Sequence, residues 1–177
     1  MQKQNTDIPD VCILIPKVFS DSRGFFFESF NKRVFDSLGL HGDFVQDNRS
    51  FSVKGVLRGL HYQVEEPQGK LVSVTHGEIY DVAVDLRRGS AFFGKWTAAV
   101  LSSDNHHMLW LPPGFAHGFL VLSETAKVLY KATAYYAPQF EQTIIWNDPD
   151  LNIVWPFLSP LLSTKDANGK RFSDVLR

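Results

Sequence analysis

The sequence predicts an all-β domain of jelly-roll type, two layers of antiparallel strands with short helices as accessories. Three observations carry this expectation. Eleven stretches rich in Val, Ile, Phe and Tyr recur between short Gly and Pro clusters at the spacing of an all-β chain. A single stretch has helical periodicity. Fifteen Phe in 177 residues supply the aromatic bulk that fills the space between two facing sheets and leaves flat platforms at its mouth.

In chain order the strand-like stretches are residues 11–18, 25–30, 44–51, 56–63, 71–75, 78–86, 95–102, 107–111, 116–122, 127–136 and 143–146. The helical one is 31–38, where Phe30, Val34, Phe35 and Leu38 repeat at helical spacing and Gly39 can stop the chain. His76-Gly77 reads as a tight hairpin, and after Pro156 the strand signal fades. No linker, low-complexity tract or repeat interrupts the chain, so residues 1–177 are read as one domain. A domain of this length can hold itself together by burial.

Composition narrows the function. With 18 Lys and Arg against 19 Asp and Glu, and no long basic run, the chain carries no electrostatic footprint for duplex nucleic acid or an anionic membrane. The apolar run from Val11 to Ile15 is closed by Pro16, too short for a signal-peptide core or a membrane span. A lone Cys12 cannot form an intrachain disulfide. These features predict a cytoplasmic protein acting on a small polar ligand.

The segment VLRGLHYQ (56–63) puts His61 mid-strand among apolar neighbours, sharing a face with Leu57 and Gln63. That is either a core histidine satisfied by a carbonyl or a polar pair lining a cavity. Arg58 falls on the opposite face of a straight strand, and a bulge at Gly59 would re-aim it. Lys70 begins the next strand, either as a solvated surface lysine or reaching a cavity from its mouth, where it can stabilise a phosphate or an oxyanion. Tyr130 and Tyr136 in LYKATAYY share parity, so both rings are expected on one face of one strand, as packing or as a pair of phenols for chemistry. DSRGFFFESF (21–30) flanks three Phe with Arg23 and Glu28, as a guarded edge strand or an anion grip with a stacking platform. Gln46, Asp47 and Asn48 make a polar cluster in a β context; His106-His107 reads as a solvent-facing turn, and Lys165-Asp166 in LSTKDANG as a solvated loop pair.

LPPGFAHGF (111–119) contains Pro112-x-Gly114-x-x-His117, and Gly55 stands six positions before His61, a spacing that resembles the two motifs of cupins. A cupin metal site takes a further His and a Glu from the first motif; here Gln63 occupies the His position and no Glu sits at the usual offset. His61 and His117 without a third firm ligand make a poor transition-metal site, and none is expected.

SRGFFFESF, FVQDNRS, VLRGLHYQ, QGKLV, YDVAVDLR, LPPGFAHGF, LYKATAYY, WNDP and LSTKD, in this order, together closely resemble the dTDP-4-dehydrorhamnose 3,5-epimerase family, a cupin-like branch that works without metal or other cofactor. The resemblance implies that His61 is the general base, with Asp166 hydrogen-bonded to it, that Tyr130 is the acid on the opposite face of the sugar, and that Lys70 faces the oxygen on carbon 4. It implies that Arg23, Glu28, Gln46, Asp47, Asn48, Arg58, His117, Tyr136, Glu141 and Lys165 bind the nucleotide diphosphate and sugar. It further implies a homodimer exchanging N-terminal strands, so that Arg23 and Glu28 serve the partner's site, and a segment from about residue 150 packed on the barrel.

The chemistry suits these residue types. A carbonyl at carbon 4 acidifies the hydrogens on carbons 3 and 5, because each carbanion spreads onto the oxygen as an enolate. Imidazole is a competent base near neutral pH, a carboxylate behind it favours the imidazolium, and a phenol stays protonated until the enolate appears. The alternatives are an epimerase acting at carbon 3 or carbon 5 alone, a sugar-nucleotide 3,4-ketoisomerase, a metal-dependent cupin oxygenase, and a non-catalytic sugar-nucleotide binder.

Overall fold

The structure, a computed structural model, describes residues 1–175. Two antiparallel sheets face each other. The six-stranded sheet runs β1 (Gln2–Asn5), β2 (Cys12–Ile15), β10 (Met108–Leu111), β7 (Lys70–His76), β12 (Thr125–Ala132), β5 (Gln46–Val53). The five-stranded sheet runs β13 (Glu141–Thr143), β6 (Leu57–Gln63), β11 (Phe115–Val121), β8 (Glu78–Asp85), β9 (Trp96–Ser102). A separate hairpin joins β3 (Phe19–Asp21) to β4 (Gly24–Phe26). The mostly antiparallel, double-layered architecture is the jelly roll expected.

Strand chemistry explains the layering. Val72, Val74 and Val128 from one sheet meet Ala83, Phe115 and Phe119 from the other in the central core. The five-stranded sheet is buried on its second face too: Leu57, Leu60, Val82 and Val84 pack against Ile144, Leu151, Trp155 and Phe172 from the last part of the chain. Apolar residues on both faces make β8 and β11 near-continuous buried runs rather than alternating ones. On the outer face of the other sheet, Leu14, Leu71, Met108 and Trp110 take up Phe35 from α1 (Lys32–Ser37), which starts at an Asn31 cap and lies inside the expected helical stretch.

Several local expectations change. Gly77 joins β7 and β8 as predicted, but these strands belong to different sheets, so the turn is a corner between layers and not a hairpin. A Cβ at Gly77 would stand 2.0 Å from the Thr125 carbonyl, and its φ is +77°, so the corner requires glycine. The first long strand is cut to Cys12–Ile15, because Pro16 offers the ladder no N–H. The strand of 127–136 ends at Ala132, leaving Tyr136 in the turn beyond it. His106 is not a free surface residue: it stacks on Phe25 and Phe27, ring centroids 4.6 and 5.0 Å away. β1 was not foreseen, since its four exposed polar residues carry no apolar alternation.

Candidate active site

A cleft opens between the two sheets as adjoining lobes of about 330 Å³ each, which share His61, Gln68, Lys70, Tyr136 and Glu141. One wall is the five-stranded sheet, contributing Arg58 and His61 from β6 and His117 from β11. The facing wall is the six-stranded sheet, contributing Gln46 and Asn48 from β5, Lys70 from β7 and Tyr130 from β12. His61 and Tyr130 therefore line one cavity from opposite walls.

The backbone of β6 explains how Arg58 reaches the cleft. Arg58 pairs with Phe119 while His61 pairs with His117, so the register shifts between them and strict alternation is lost. Gly59 (φ +122°) and Gly118 make the close approach possible: a Cβ on Gly59 would lie 2.5 Å from the Gly118 Cα. Arg58 is then held by its Nε donating to Ser52 Oγ at 2.9 Å and its Nη2 to the Phe51 carbonyl at 3.2 Å.

His61 Nε2 meets Asp166 Oδ1 at 2.5 Å across 105 residues of sequence. Asp166 sits in the short helix α2 (Thr164–Ala167), where Ser163 caps the Asp166 N–H at 3.1 Å and its hydroxyl donates to Asp166 Oδ2 at 2.8 Å. The preceding chain is laced to β6 by Leu57 N–H to Leu161 O and Leu161 N–H to Gly55 O. Asp166 is thus 3 % exposed and not the solvated loop residue expected. Burial alone raises its carboxyl; the hydrogen bond and charge of His61, the Ser163 hydroxyl and the Gly59 N–H outweigh this and hold it below the usual carboxylate range. With Nε2 committed to Asp166, His61 has Nδ1 left for the cleft.

Lys70 is 8 % exposed, deeper than a residue at the mouth. Burial pulls its ammonium down to about 8, against the attraction of Glu141 and Asp81 and with a small push from Lys165. Burial raises the Tyr130 phenol, opposed by Arg58 and reinforced by Glu141, so it is protonated at neutral pH. Tyr136 Oη donates to Glu141 Oε2 at 2.7 Å, and Lys165 Nζ pairs with the same oxygen at 2.5 Å. Burial alone would raise the Glu141 carboxyl; these two partners hold it below its ordinary range.

The other expected residues divide. Gln46 takes the Tyr136 N–H on its Oε1 and donates to Asn48, so both face the cleft. Asp47, one residue on, turns to the outer face and pairs with Lys131 at 2.7 Å. Arg23 pairs with Asp21 on the β3–β4 hairpin and Glu28 accepts from Asn31; neither lines the chain's own cleft. Gln63 lines one lobe of the cleft with His61, as expected of a shared face, and is buried; it holds the turn after β12 through the Ala137 N–H and the Tyr135 carbonyl and donates also to the Glu66 carbonyl. The sequence reading missed Ser52, Ser163 and Asp81, which stand behind Arg58, Asp166 and His117. Ser163-x-x-Asp166 is a capping signature, and Asp81 is a charge inside an otherwise apolar strand; both were readable signals. Among the described residues no group of three or more His, Cys, Asp or Glu is arranged to hold a metal, and the Nε2 atoms of His61 and His117 are each occupied by a carboxylate. No described helix is long and apolar enough to cross a membrane.

A family model described as dTDP-4-dehydrorhamnose 3,5-epimerase matches residues 5–174. The chain belongs to this family. A dTDP-4-dehydrorhamnose 3,5-epimerase of Pseudomonas aeruginosa is 56% identical over 177 residues, covering 99% of this chain and 98% of its own. The structure of the dTDP-6-deoxy-D-glucose-3,5-epimerase of Legionella pneumophila in complex with dTDP-4-keto-L-rhamnose superposes with a TM-score of 0.93 at 51% identity, covering 96% of this chain and 92% of that one. A 3'-monoepimerase from Streptomyces bikiniensis in complex with dTDP-quinovose shares the family's fold at lower identity, 32%, with a TM-score of 0.88 over 96% of this chain and 87% of that one.

Proposed function

We propose that this protein converts dTDP-4-dehydro-6-deoxy-D-glucose to dTDP-4-dehydro-L-rhamnose by epimerising carbons 3 and 5. The observation that carries this reading is the opposition of His61, backed by Asp166, to Tyr130 across one cleft that also receives Lys70. A hexose ring lying between the two sheets meets a base on one face and an acid on the other.

In this reading His61 Nδ1 takes the proton from carbon 5 or carbon 3. The C–H pair flows into an enolate on the carbon 4 oxygen, where the Lys70 ammonium stabilises the new charge. Asp166 holds the imidazole by Nε2 and stabilises the imidazolium. Tyr130 Oη then gives its proton to the carbanionic carbon from the opposite face, and solvent reprotonates the phenolate and discharges the imidazolium. No electron leaves the substrate, so no redox cofactor is required. Arg58, Gln46 and Asn48 line the lobe suited to the diphosphate and the sugar.

The homodimer belongs to the same proposal. Arg23 lies outside its own cleft, on a hairpin whose Phe25 and Phe26 are 61% and 70% exposed, which suits an arm lent to a neighbouring subunit together with Glu28.

Proton NMR of dTDP-4-keto-6-deoxyglucose in heavy water tests the reading. Deuterium is expected at carbons 3 and 5 with inversion, with or without chelator, and none with His61→Asn. Exchange at one carbon alone would assign a single-position epimerase, the activity named for the Streptomyces bikiniensis neighbour. No exchange by the wild-type protein would refute the proposal.

A further inference from the structure

A second carboxylate–imidazole pair stands beside the first. His117 is directly opposite His61 in the β6–β11 register. Its Nε2 meets Asp81 Oδ1 at 2.5 Å. Asp81 is fully buried on β8, and its Oδ2 has no hydrogen-bond partner among the described residues. The inward positions on either side of it, Ile79 and Ala83, belong to the apolar core. A half-satisfied carboxylate at such a place costs stability, so packing does not account for it.

The mechanism proposed above gives Asp81 no task, yet it stands behind His117, which lines the cleft that receives Lys70. Lys70 is surrounded from every side by groups that set its charge. Glu141 from β13 and Asp81 from β8 attract its ammonium, and Lys165 from α2 repels it. Arg58 and His61 from β6, His117 from β11 and Tyr130 from β12 line the same cavity, with Tyr136 beyond β12. Glu141 is already shared with Lys165 and Tyr136. Asp81 has one oxygen uncommitted.

We propose that Asp81 is a positioning residue for the epimerisation, fixing His117 with Nδ1 turned to the cleft and keeping Lys70 cationic beside the carbon 4 oxygen. This rests on the epimerase reading. In this arrangement the carboxylate accepts from Nε2–H of His117 and turns Nδ1 toward a substrate hydroxyl. Its negative charge acts at the same time on the ammonium entering from the facing sheet. Removing the charge but not the shape should therefore let Lys70 lose its proton at a lower pH.

The test is the pH dependence of kcat and KM for wild type, Asp81→Asn and Asp81→Glu. Asp81→Asn is expected to lower kcat by about 10- to 100-fold, as loss of an orienting carboxylate behind a functional histidine does elsewhere, with KM changed less than about threefold. Its basic limb is expected to move to lower pH, and Asp81→Glu to recover part of kcat and return the limb. An unmoved limb in Asp81→Asn, whatever its rate, overturns the proposal, because a merely structural role would leave it in place. Should Asp81→Asn not fold, nitrogen-15 NMR of the wild type decides: His117 protonated at Nε2 supports the assignment, and protonation at Nδ1 alone overturns it. A wild-type protein that moves no proton of the sugar refutes the epimerase reading, and the tautomer measurement, which needs no substrate, still reports on the pair.

Discussion

Replacing Lys70 by Met separates what this residue does for the reaction from what it costs the fold. The side chains are of similar length, and the site is 8 % exposed, so the methionine thioether fits where the ammonium lies. Burial lowers the Lys70 pKa from 10.5 to about 8. At about 1.4 kcal/mol for each tenfold, that difference makes the charged form roughly 3 kcal/mol less stable folded than unfolded. Lys70→Met is therefore expected to stabilise the protein at neutral pH by up to about 3 kcal/mol, roughly 6–12 °C in Tm for a chain of this size. It is expected to lose about two orders of magnitude or more in turnover, like other removals of an oxyanion partner. The pH dependence isolates the cause. From about pH 8 up to 10.5 the unfolded wild type binds more protons at this position than the folded one, so its stability rises with pH relative to the variant. Below pH 8 the full penalty is present, and above 10.5 it is gone. Urea unfolding at several pH values, compared between the two proteins, measures this directly. A variant less stable than wild type, or a gap that stays constant from pH 8 to 10.5, would refute the reasoning.

Other consequences are equally open to measurement. Tyr130→Phe keeps the ring in the core and removes the acid, so continued deuterium exchange with little net inversion is expected by NMR; full epimerisation would remove Tyr130 from the mechanism. If Arg23 serves the partner's site, mixing inactive Arg23→Ala and His61→Asn subunits should restore roughly a quarter of the wild-type rate, since half of the dimers carry one intact site. No recovery after subunit exchange would place Arg23 elsewhere. Trp155, 6% exposed and donating from Nε1 to the Trp146 carbonyl at 2.8 Å, anchors the last part of the chain on β6, β8 and β11. Trp155→Ala is expected to cost about 3–5 kcal/mol in chemical denaturation, and a loss under about 1 kcal/mol would show that this segment contributes little to stability.

Residue type and local pattern determined much of this protein. Runs rich in Val, Ile, Phe and Tyr selected strands, the turn at Gly77 was readable from its dipeptide, and the helical stretch beginning after Phe30 was legible from Val34, Phe35 and Leu38. A polar His61 inside an apolar strand marked a place that needs either a hydrogen-bond partner or a cavity, and the structure supplies both. The ordered motifs pointed to the family that the comparisons establish.

Only the tertiary structure decided which of these residues meet. Whether Gly77 closes a hairpin or turns a corner between sheets depends on where the strands find their ladders, a long-range matter that the turn itself does not encode. Arg58 belongs on the far face of a straight strand and enters the cleft because β6 and β11 shift register where Gly59 and Gly118 meet. Asp47 leaves it for the opposite reason, regular alternation along β5. Asp166 looks like a solvated loop acid until a capped turn and two backbone bonds beside β6 carry it 105 residues back to His61. The identity of a side chain sets what it can do with a proton. The depth at which it is buried, and the charges that approach it from other strands, set when it does so; for Lys70 that is the difference between an ordinary surface ammonium and a cation held at about 8 inside the cleft.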